Sequence, residues 1–394
     1  MEGDYSGSWQ LIIKCSYPNY ILTVRILLVC GAGIVSGKEI MSLHLLREMK
    51  RRGHECFCIV SSWGSDDFRS RLTEIGVPFY NLRIGFISKT LTWSAIRMTM
   101  IQAFYLPGLL IKYSFLNRKL NPDIVIHTNF HHSFLLYPVL GGRRNIYWSH
   151  EILSDKTFYK RLFQLFDKKI SCFVSVSEAV AFSLRNLIGS EKVCIVKNGT
   201  TASQNFIPPK NGSKLVLAIV GQVSKHKGHE VLLEALRSVA KSTFVLDIVG
   251  QGNKEYESHL KSLITQFGLT ENCNWRGFIR NPEEIYKGID VVIVPSIFPD
   301  PYPTIVMEAG LRGIPVIASA IGGLVEMVVN DVNGFLVEAG DPESLRLAIQ
   351  KIIDYPEIEV LRQHTLRFSS DNFKIESFAN NFERLIVGQL RDDK

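Results

Sequence analysis

Short β-branched apolar runs alternate with amphipathic helical stretches along this chain, and the alternation stops once and starts again. "VRILLVC" (24–30) reads as a buried strand and opens into a loop with Gly31 and Gly33. A helix pattern follows from Glu39 to Arg52, with Leu43, Leu46 and Met49 on one face and Gly53 at its end. The next strand is "ECFCIV" (55–60), which completes a strand–helix–strand unit. "PDIVIHTN" (122–129), "RNIYWSH" (144–150), "SCFVSVS" (171–177) and "KVCIVKNG" (192–199) continue the series. The polar, Pro/Gly-rich "NFIPPKNGSK" (205–214) then breaks it. Beyond the break come strand "KLVLAIVG" (214–221), helix "HEVLLEALRSVAK" (229–241), and strands "FVLDIVG" (244–250), "CNWRGF" (273–278), "DVVIVPS" (290–296) and "PVIAS" (315–319).

Two such series predict an α/β protein of two Rossmann-like doubly wound domains, each a parallel sheet covered by helices. The expected boundaries are 24–204 and 214–372, joined by a linker at 205–213. A final helix at 373–394, with Phe378, Phe382, Leu385 and Ile386 at helical spacing, is long enough to reach back to the first domain. Residues 1–23 fit no element and lack the basic start and cleavage site of a signal peptide; they are expected to be a disordered leader or a start-site artefact. Parallel sheets bind ligands beyond the carboxyl ends of their strands, so the predicted site is the cleft between the domains.

Charge and cysteine use narrow the partners. Residues 1–205 carry 25 Lys and Arg against 14 Asp and Glu, whereas residues 206–394 carry 20 against 24. The first half can attract anionic lipid headgroups or acidic substrates, and a simple solvated basic face is the equal alternative. No arginine-rich tract or zinc-finger spacing points to nucleic acid. The seven cysteines are scattered with no CxxC pair, as expected of reduced core residues in a cytoplasmic protein. His127, His131 and His132 lack acidic or cysteine partners at ligand spacing, so no metal site is expected. Residues 96–116 are the most apolar long stretch, but Arg97, Gln102, Pro107 and Lys112 interrupt them. They read as two short amphipathic helices packed on the core or touching a bilayer, not as a membrane span.

Two stretches carry chemistry. In "PDPYPTIVMEAG" (299–310), Pro301 and Pro303 hold Asp300 and Tyr302 extended. Pro303 suits the first position of a helix over Thr304–Gly310, whose opening amides form an anion site. Glu308 lies further down that helix among apolar neighbours, where a carboxylate needs partners; a vicinal diol would supply two hydrogen bonds. In "GQVSKHKG" (221–228), Lys225, His226 and Lys227 precede a helix, and a bound anion would explain lysines there. The GxxxxGK[ST] order of a P-loop is absent. In "SHEI" (149–152), His150 ends a strand and Glu151 reads as solvated.

These stretches, together with "GGLVEMVVNDVNGFLVEAGDPESLRLAI" (322–349) and "VSVSEAV…KVCIVKNGT" (174–200), resemble the family-4 glycosyltransferases, retaining nucleotide-sugar enzymes of GT-B fold. The resemblance runs from Val24 to the end and is most specific in the second half. It implies that Lys227 binds the donor diphosphate, that Glu308 holds the ribose hydroxyls, and that Asp300, where the family usually has Glu, bonds the transferred sugar. It also implies that the amides of Thr304 and Ile305 contact phosphate or sugar, that Gly277 and Phe278 lie near the base, and that Gly31 and Gly33 match the first domain's glycine loop. His150 matches a histidine facing the donor sugar. Gln222 stands where the family commonly has Arg, and Lys225 is placed to compensate.

The expected activity is hexosyl transfer from a nucleoside diphosphate sugar to a glycan or lipid-linked glycan in surface polysaccharide synthesis, at or near the inner face of the cell membrane. No metal or other cofactor is expected. A GT-B-fold nucleotide-sugar epimerase and a non-catalytic nucleotide-sugar-binding subunit are the alternatives.

Overall fold

A computed structural model of the chain describes residues 23–31, 35–85, 93–141, 144–153, 157–189, 191–201 and 214–391. Residues 1–22 of the leader, Gly33 and the linker at 205–213 lie outside these residues, as does Cys15. The first half contains β1 (Arg25–Val29), β2 (Glu55–Ser61), β3 (Phe79–Leu82), β4 (Ile124–His127), β5 (Arg144–Ser149), β6 (Cys172–Ser175) and β7 (Val193–Ile195). They form one sheet in the order β3-β2-β1-β4-β5-β6-β7. The second half contains β8 (Leu215–Val220), β9 (Phe244–Val249), β10 (Cys273–Gly277), β11 (Val291–Val294), β12 (Val316–Ser319) and β13 (Gly334–Val337). Their order is β10-β9-β8-β11-β12-β13.

Every pairing in both sheets is parallel. The central strands are buried on both faces, as in the runs Ile124–His127 and Val291–Val294, so they read as continuous apolar segments. In each sheet the order reverses beside the first strand, between β1 and β4 and between β8 and β11. The loops leaving those strands therefore flank a ligand crevice.

Three expectations about helices are corrected. Residues 96–116 belong to one helix, Trp93–Leu120, that runs through Pro107. Pro107 lies on its exposed face, and the packing of Leu109 and Tyr113 on the inner face outweighs the lost backbone hydrogen bond. The helix after Gly228 stops at Arg237 instead of reaching residue 241. The last helix begins at Ile375, because the preceding backbone pairs with the first half: Thr200 N donates to Phe373 O at 2.9 Å and Ile375 N to Thr200 O at 3.0 Å.

That last helix, Ile375–Arg391, does reach back to the first domain. Phe378 stacks on buried Trp148 of β5 and Phe382 meets it edge-on, with ring centroids 5.8 and 4.9 Å away. Glu383 accepts from Arg52 and pairs with His54 at 3.0 Å. One further expectation fails in part: Cys30, Cys56, Cys58 and Cys172 are buried, but Cys194 is exposed and Cys273 half-buried.

Candidate functional site

The site begins where two loops of the second sheet are pressed together. After β8, Gly221 (φ +135°) turns the chain into a single 3-10 turn, Lys225–Lys227, closed by Gly228 (φ +74°). A Cβ on Gly228 would stand 1.8 Å from the carbonyl oxygen of Pro295 after β11, so only glycine permits this approach. Ile297 N donates to His226 O at 3.0 Å and locks the two loops. The lysines thus sit in their own turn and not on the first turn of the following helix. Held this way, Lys227 Nζ lies 2.5 Å from Asp300 Oδ2.

The Asp300 loop is braced from its other side. Gly323 N donates to Asp300 O at 2.7 Å. Pro303 is the N-cap of the Thr304–Gly310 helix (φ −69°, ψ 128°), one position before the expected first helical residue. Its missing N–H is harmless in either place, since neither position donates within the helix. The amides of Thr304 and Ile305 open the helix as expected.

Glu308 follows on this helix, half-buried. Tyr286 OH donates to its Oε2 at 2.9 Å. Burial, and then the Glu308 charge, push the Tyr286 phenol well above its ordinary range, so it stays a donor. Arg312 clamps the arrangement: its guanidinium lies 4.6 Å above the Tyr286 ring, donates to Glu308 O at 2.8 Å and pairs with Glu283 at 2.5 Å. Sequence reasoning missed Tyr286, and nothing in its local stretch marks it.

Gln222 and Lys225 are exposed beside Lys227. Gly277 ends β10 with φ +66°, and Phe278 after it is 64% exposed. Gly250 N donates to Gly277 O at 2.8 Å, and a Cβ on Gly250 would lie 1.8 Å from Gly221 O. The ends of β10, β9 and β8 therefore lie side by side, with Gly277 paired to Val249 and bonded to Gly250. Arg276 holds these strand ends to the Tyr286 segment by bonds to Glu284 O and Ile285 O at 2.6 and 3.0 Å.

The first sheet supplies the facing wall. A Cβ on Gly31 would lie 1.9 Å from His132 Cε1, so this glycine makes room for a buried imidazole. His150 follows β5, half-buried, with its ring centroid 4.3 Å from that of Trp148. Its Nε2 is sealed from solvent with no protein hydrogen-bond partner. Burial, and then the charge of Lys38, pull its pKa down to about 3, so His150 is neutral in ordinary buffers. Lys38 lies near the start of the Gly37–Arg51 helix, whose first residue faces Thr304: a Cβ on Gly37 would lie 3.8 Å from Thr304 Cγ2. The carboxyl ends of the two sheets thus meet across a cleft, and Lys38 is a second residue that sequence reasoning missed.

Two other expectations concern metals and the "SHEI" stretch. Glu151 is exposed, as its reading as a solvated residue expects, and Ser149 Oγ donates to its carbonyl oxygen at 3.2 Å. His127 is buried and bonded to Asn145 at 3.1 Å. Among the described residues, no three His, Cys, Asp or Glu side chains are grouped to hold a metal ion.

Comparison with known proteins fits this geometry. Residues 35–204 match the sequence profile of Glycosyltransferase Family 4, and residues 201–365 that of Glycosyl transferases group 1. An uncharacterized glycosyltransferase of Methanocaldococcus jannaschii is 29% identical over 147 residues, 36% of this chain and 37% of that one. Alignments to this and three more curated relatives span between 34% and 62% of the relative's own length. Among solved structures, Anabaena HepE in complex with UDP superposes with a TM-score of 0.78 at 19% identity, covering 92% of this chain and 100% of that one. The lipopolysaccharide outer core galactosyltransferase WaaB, in its apo form, gives 0.69 at 16% identity, covering 92% and 99%. The two-domain fold of these structures, GT-B, is the fold of this chain.

Proposed function

We propose a reaction for a chain that belongs to the family-4-type glycosyltransferases of GT-B fold: transfer of a hexosyl group from a nucleoside diphosphate sugar to a hydroxyl of a glycan or lipid-linked glycan, with retained anomeric configuration. The observation that carries this reading is one cation and one carboxylate held at the two ends of the Asp300–Glu308 segment. Lys227 is bonded to Asp300, just ahead of the Thr304–Gly310 helix, and Glu308 lies about one turn into that helix, oriented by Tyr286. The first arrangement suits a diphosphate and the second a ribose diol.

In this reaction the acceptor oxygen bonds to the anomeric carbon as the bond from that carbon to the diphosphate breaks. Lys227 and the amides of Thr304 and Ile305 meet the charge that develops on the diphosphate. The departing phosphate oxygen takes the acceptor proton on the same face, which preserves configuration. Asp300 bonds a sugar hydroxyl, and neutral His150 helps to orient the sugar. Closure of the two domains excludes water. The charge of the diphosphate is met by protein groups without a metal.

UDP in the Anabaena structure supports a nucleotide-sugar donor. The likeness to a lipopolysaccharide galactosyltransferase, with the basic first half, supports a lipid-linked acceptor in surface polysaccharide synthesis at the inner membrane face. The test is product analysis by NMR, with UDP-, GDP- and ADP-hexoses and lipid-linked acceptors from membranes. Transfer with retained configuration in the presence of a chelator is expected. An inverted product contradicts retention, and chelator-sensitive turnover contradicts the metal-free reading. Sugar scrambling without transfer identifies an epimerase, and binding without turnover a binding subunit.

A further inference from the structure

Glu326 is the last residue of the 3-10 turn Gly322–Glu326, which follows β12 of the second domain. Its side chain crosses to the first domain and is only 13% exposed. Ala179 N donates to its Oε1 at 3.2 Å. Ala179 is the second residue of the Glu178–Ile188 helix, which follows β6. An amide at that position has no partner within its own helix, and the cap Ser177 Oγ takes the next one, from Val180 at 3.2 Å. Lys197, beyond β7, lies 3.3 Å from Glu326 Oε2 as a charge contact without hydrogen-bond geometry. One carboxylate of the second domain thus meets the positive end of a first-domain helix and a lysine of that same domain. The helix already has its own cap in Ser177 and its own first-turn acid in Glu178, so its stability does not require an acid from across the cleft.

The turn that carries Glu326 also carries the brace of the Asp300 loop. Gly323 N donates to Asp300 O at 2.7 Å. A Cβ on Gly322 would lie 2.5 Å from Asp300 O, and one on Gly323 would lie 1.9 Å from Pro301 O, so turn and loop are in backbone contact. Leu324 and Met327 are fully buried, which makes the turn a packed unit and not a loose loop. Tyr302, between Pro301 and Pro303, is buried, and the nearby Glu326 charge adds to that burial in raising its phenol. Glu326 is therefore tied to the first domain by its side chain and to Asp300 by its own turn. A shift of one domain against the other reaches the Asp300 loop through three residues of backbone.

We propose that Glu326 is a positioning residue for the transfer: by bonding Ala179 N and facing Lys197 it seats the Gly322–Glu326 turn, and through Gly323 it holds the Asp300 carboxylate where the donor sugar needs it. This rests on the reading of Asp300 as the group that bonds the sugar. Glu326 acts through Asp300 and is assigned no contact with the donor.

The test compares Glu326→Ala and Glu326→Gln with wild type, each as the full chain. Glu326→Ala should lower kcat about tenfold or more. Nucleotide affinity and the donor KM should stay within about threefold, because Lys227 and Glu308 keep their own anchors. Glu326→Gln keeps an oxygen for Ala179 N and should recover kcat to within about threefold of wild type. Hydrogen exchange on the unliganded protein reads the linkage without turnover. In Glu326→Ala, segments 298–308 and 320–328, which hold the Asp300 loop and the Gly323 amide, should exchange about tenfold or more faster. The proposal is overturned if those segments exchange as in wild type, if Glu326→Ala keeps the wild-type kcat, or if Glu326→Gln is as slow as Glu326→Ala. A lower melting temperature with unchanged kcat reduces Glu326 to a helix cap and overturns it as well. Wild type that transfers no sugar contradicts the proposed reaction instead, and the exchange result, which needs no turnover, tells the two failures apart.

Discussion

Lys227 Nζ and Asp300 Oδ2 stand 2.5 Å apart, and the two residues come from loops that follow different strands of one sheet. In the proposed reaction Lys227 meets the donor phosphates, so a donor would compete with the Asp300 carboxylate for the lysine. Asp300→Asn removes that competitor. UDP, or whichever nucleotide binds, should then bind as tightly as before or up to about tenfold more tightly. Turnover should fall, because the sugar loses its carboxylate. Lys227→Ala should lower kcat by roughly a hundredfold to a thousandfold, the scale of losing one stabilising group at developing charge. Weaker nucleotide binding in Asp300→Asn, measured by calorimetry, would contradict this arrangement.

Tyr286 acts through Glu308 and is a positioning residue. Tyr286→Phe keeps the buried ring and removes one hydrogen bond, worth about 1 kcal/mol. Nucleotide affinity should drop roughly fivefold with little change in melting temperature. A nucleoside lacking both ribose hydroxyls should bind wild type and variant equally, which separates this role from general loosening.

Gly323 tests the bracing of the Asp300 loop. A Cβ there would lie 1.9 Å from Pro301 O, and the carbonyl belongs to backbone that cannot swing aside. Gly323→Ala should displace the loop, so donor binding should weaken about tenfold or more, while the Trp148 cluster stays intact. Trp fluorescence and calorimetry on the same sample check both halves of that expectation.

Five buried or half-buried histidines set the acid limit of the fold. Burial pulls His132 and His150 down to about 3, and His44, His127 and His229 down to about 4, from an ordinary 6.5. Between those values the unfolded chain binds more protons than the native one, so stability rises with pH there. It should be intact above pH 6.5 and decline as pH falls towards 4. A melting temperature that stayed constant from pH 7 to about 4.5 would contradict this.

The fold was legible because the strands that build it are buried on both faces. Ile124–Ile126 and Val291–Val294 are unbroken apolar runs that helix periodicity does not imitate. The edge strands Phe79–Leu82 and Gly334–Val337 escaped notice: one is only partly buried and holds Asn81, and the other begins with glycine. Pro107 misled the reading of the Trp93–Leu120 helix, since local cost says nothing of the tertiary packing that offsets it. Lys227, Asp300 and Glu308 could be named because each sits in a stretch of unusual local chemistry. Tyr286 and Lys38 could not, because their importance arises only from partners distant in sequence or across the cleft.

The central claim is that this crevice holds the nucleotide of a donor sugar with Glu308 on its ribose. The most direct measurement is calorimetric titration of UDP, GDP and ADP into wild type and Glu308→Ala. The account predicts that one nucleotide binds wild type and that the variant loses that binding while remaining folded. Folded wild type that binds none of the three, or a Glu308→Ala variant that binds as wild type does, would contradict it.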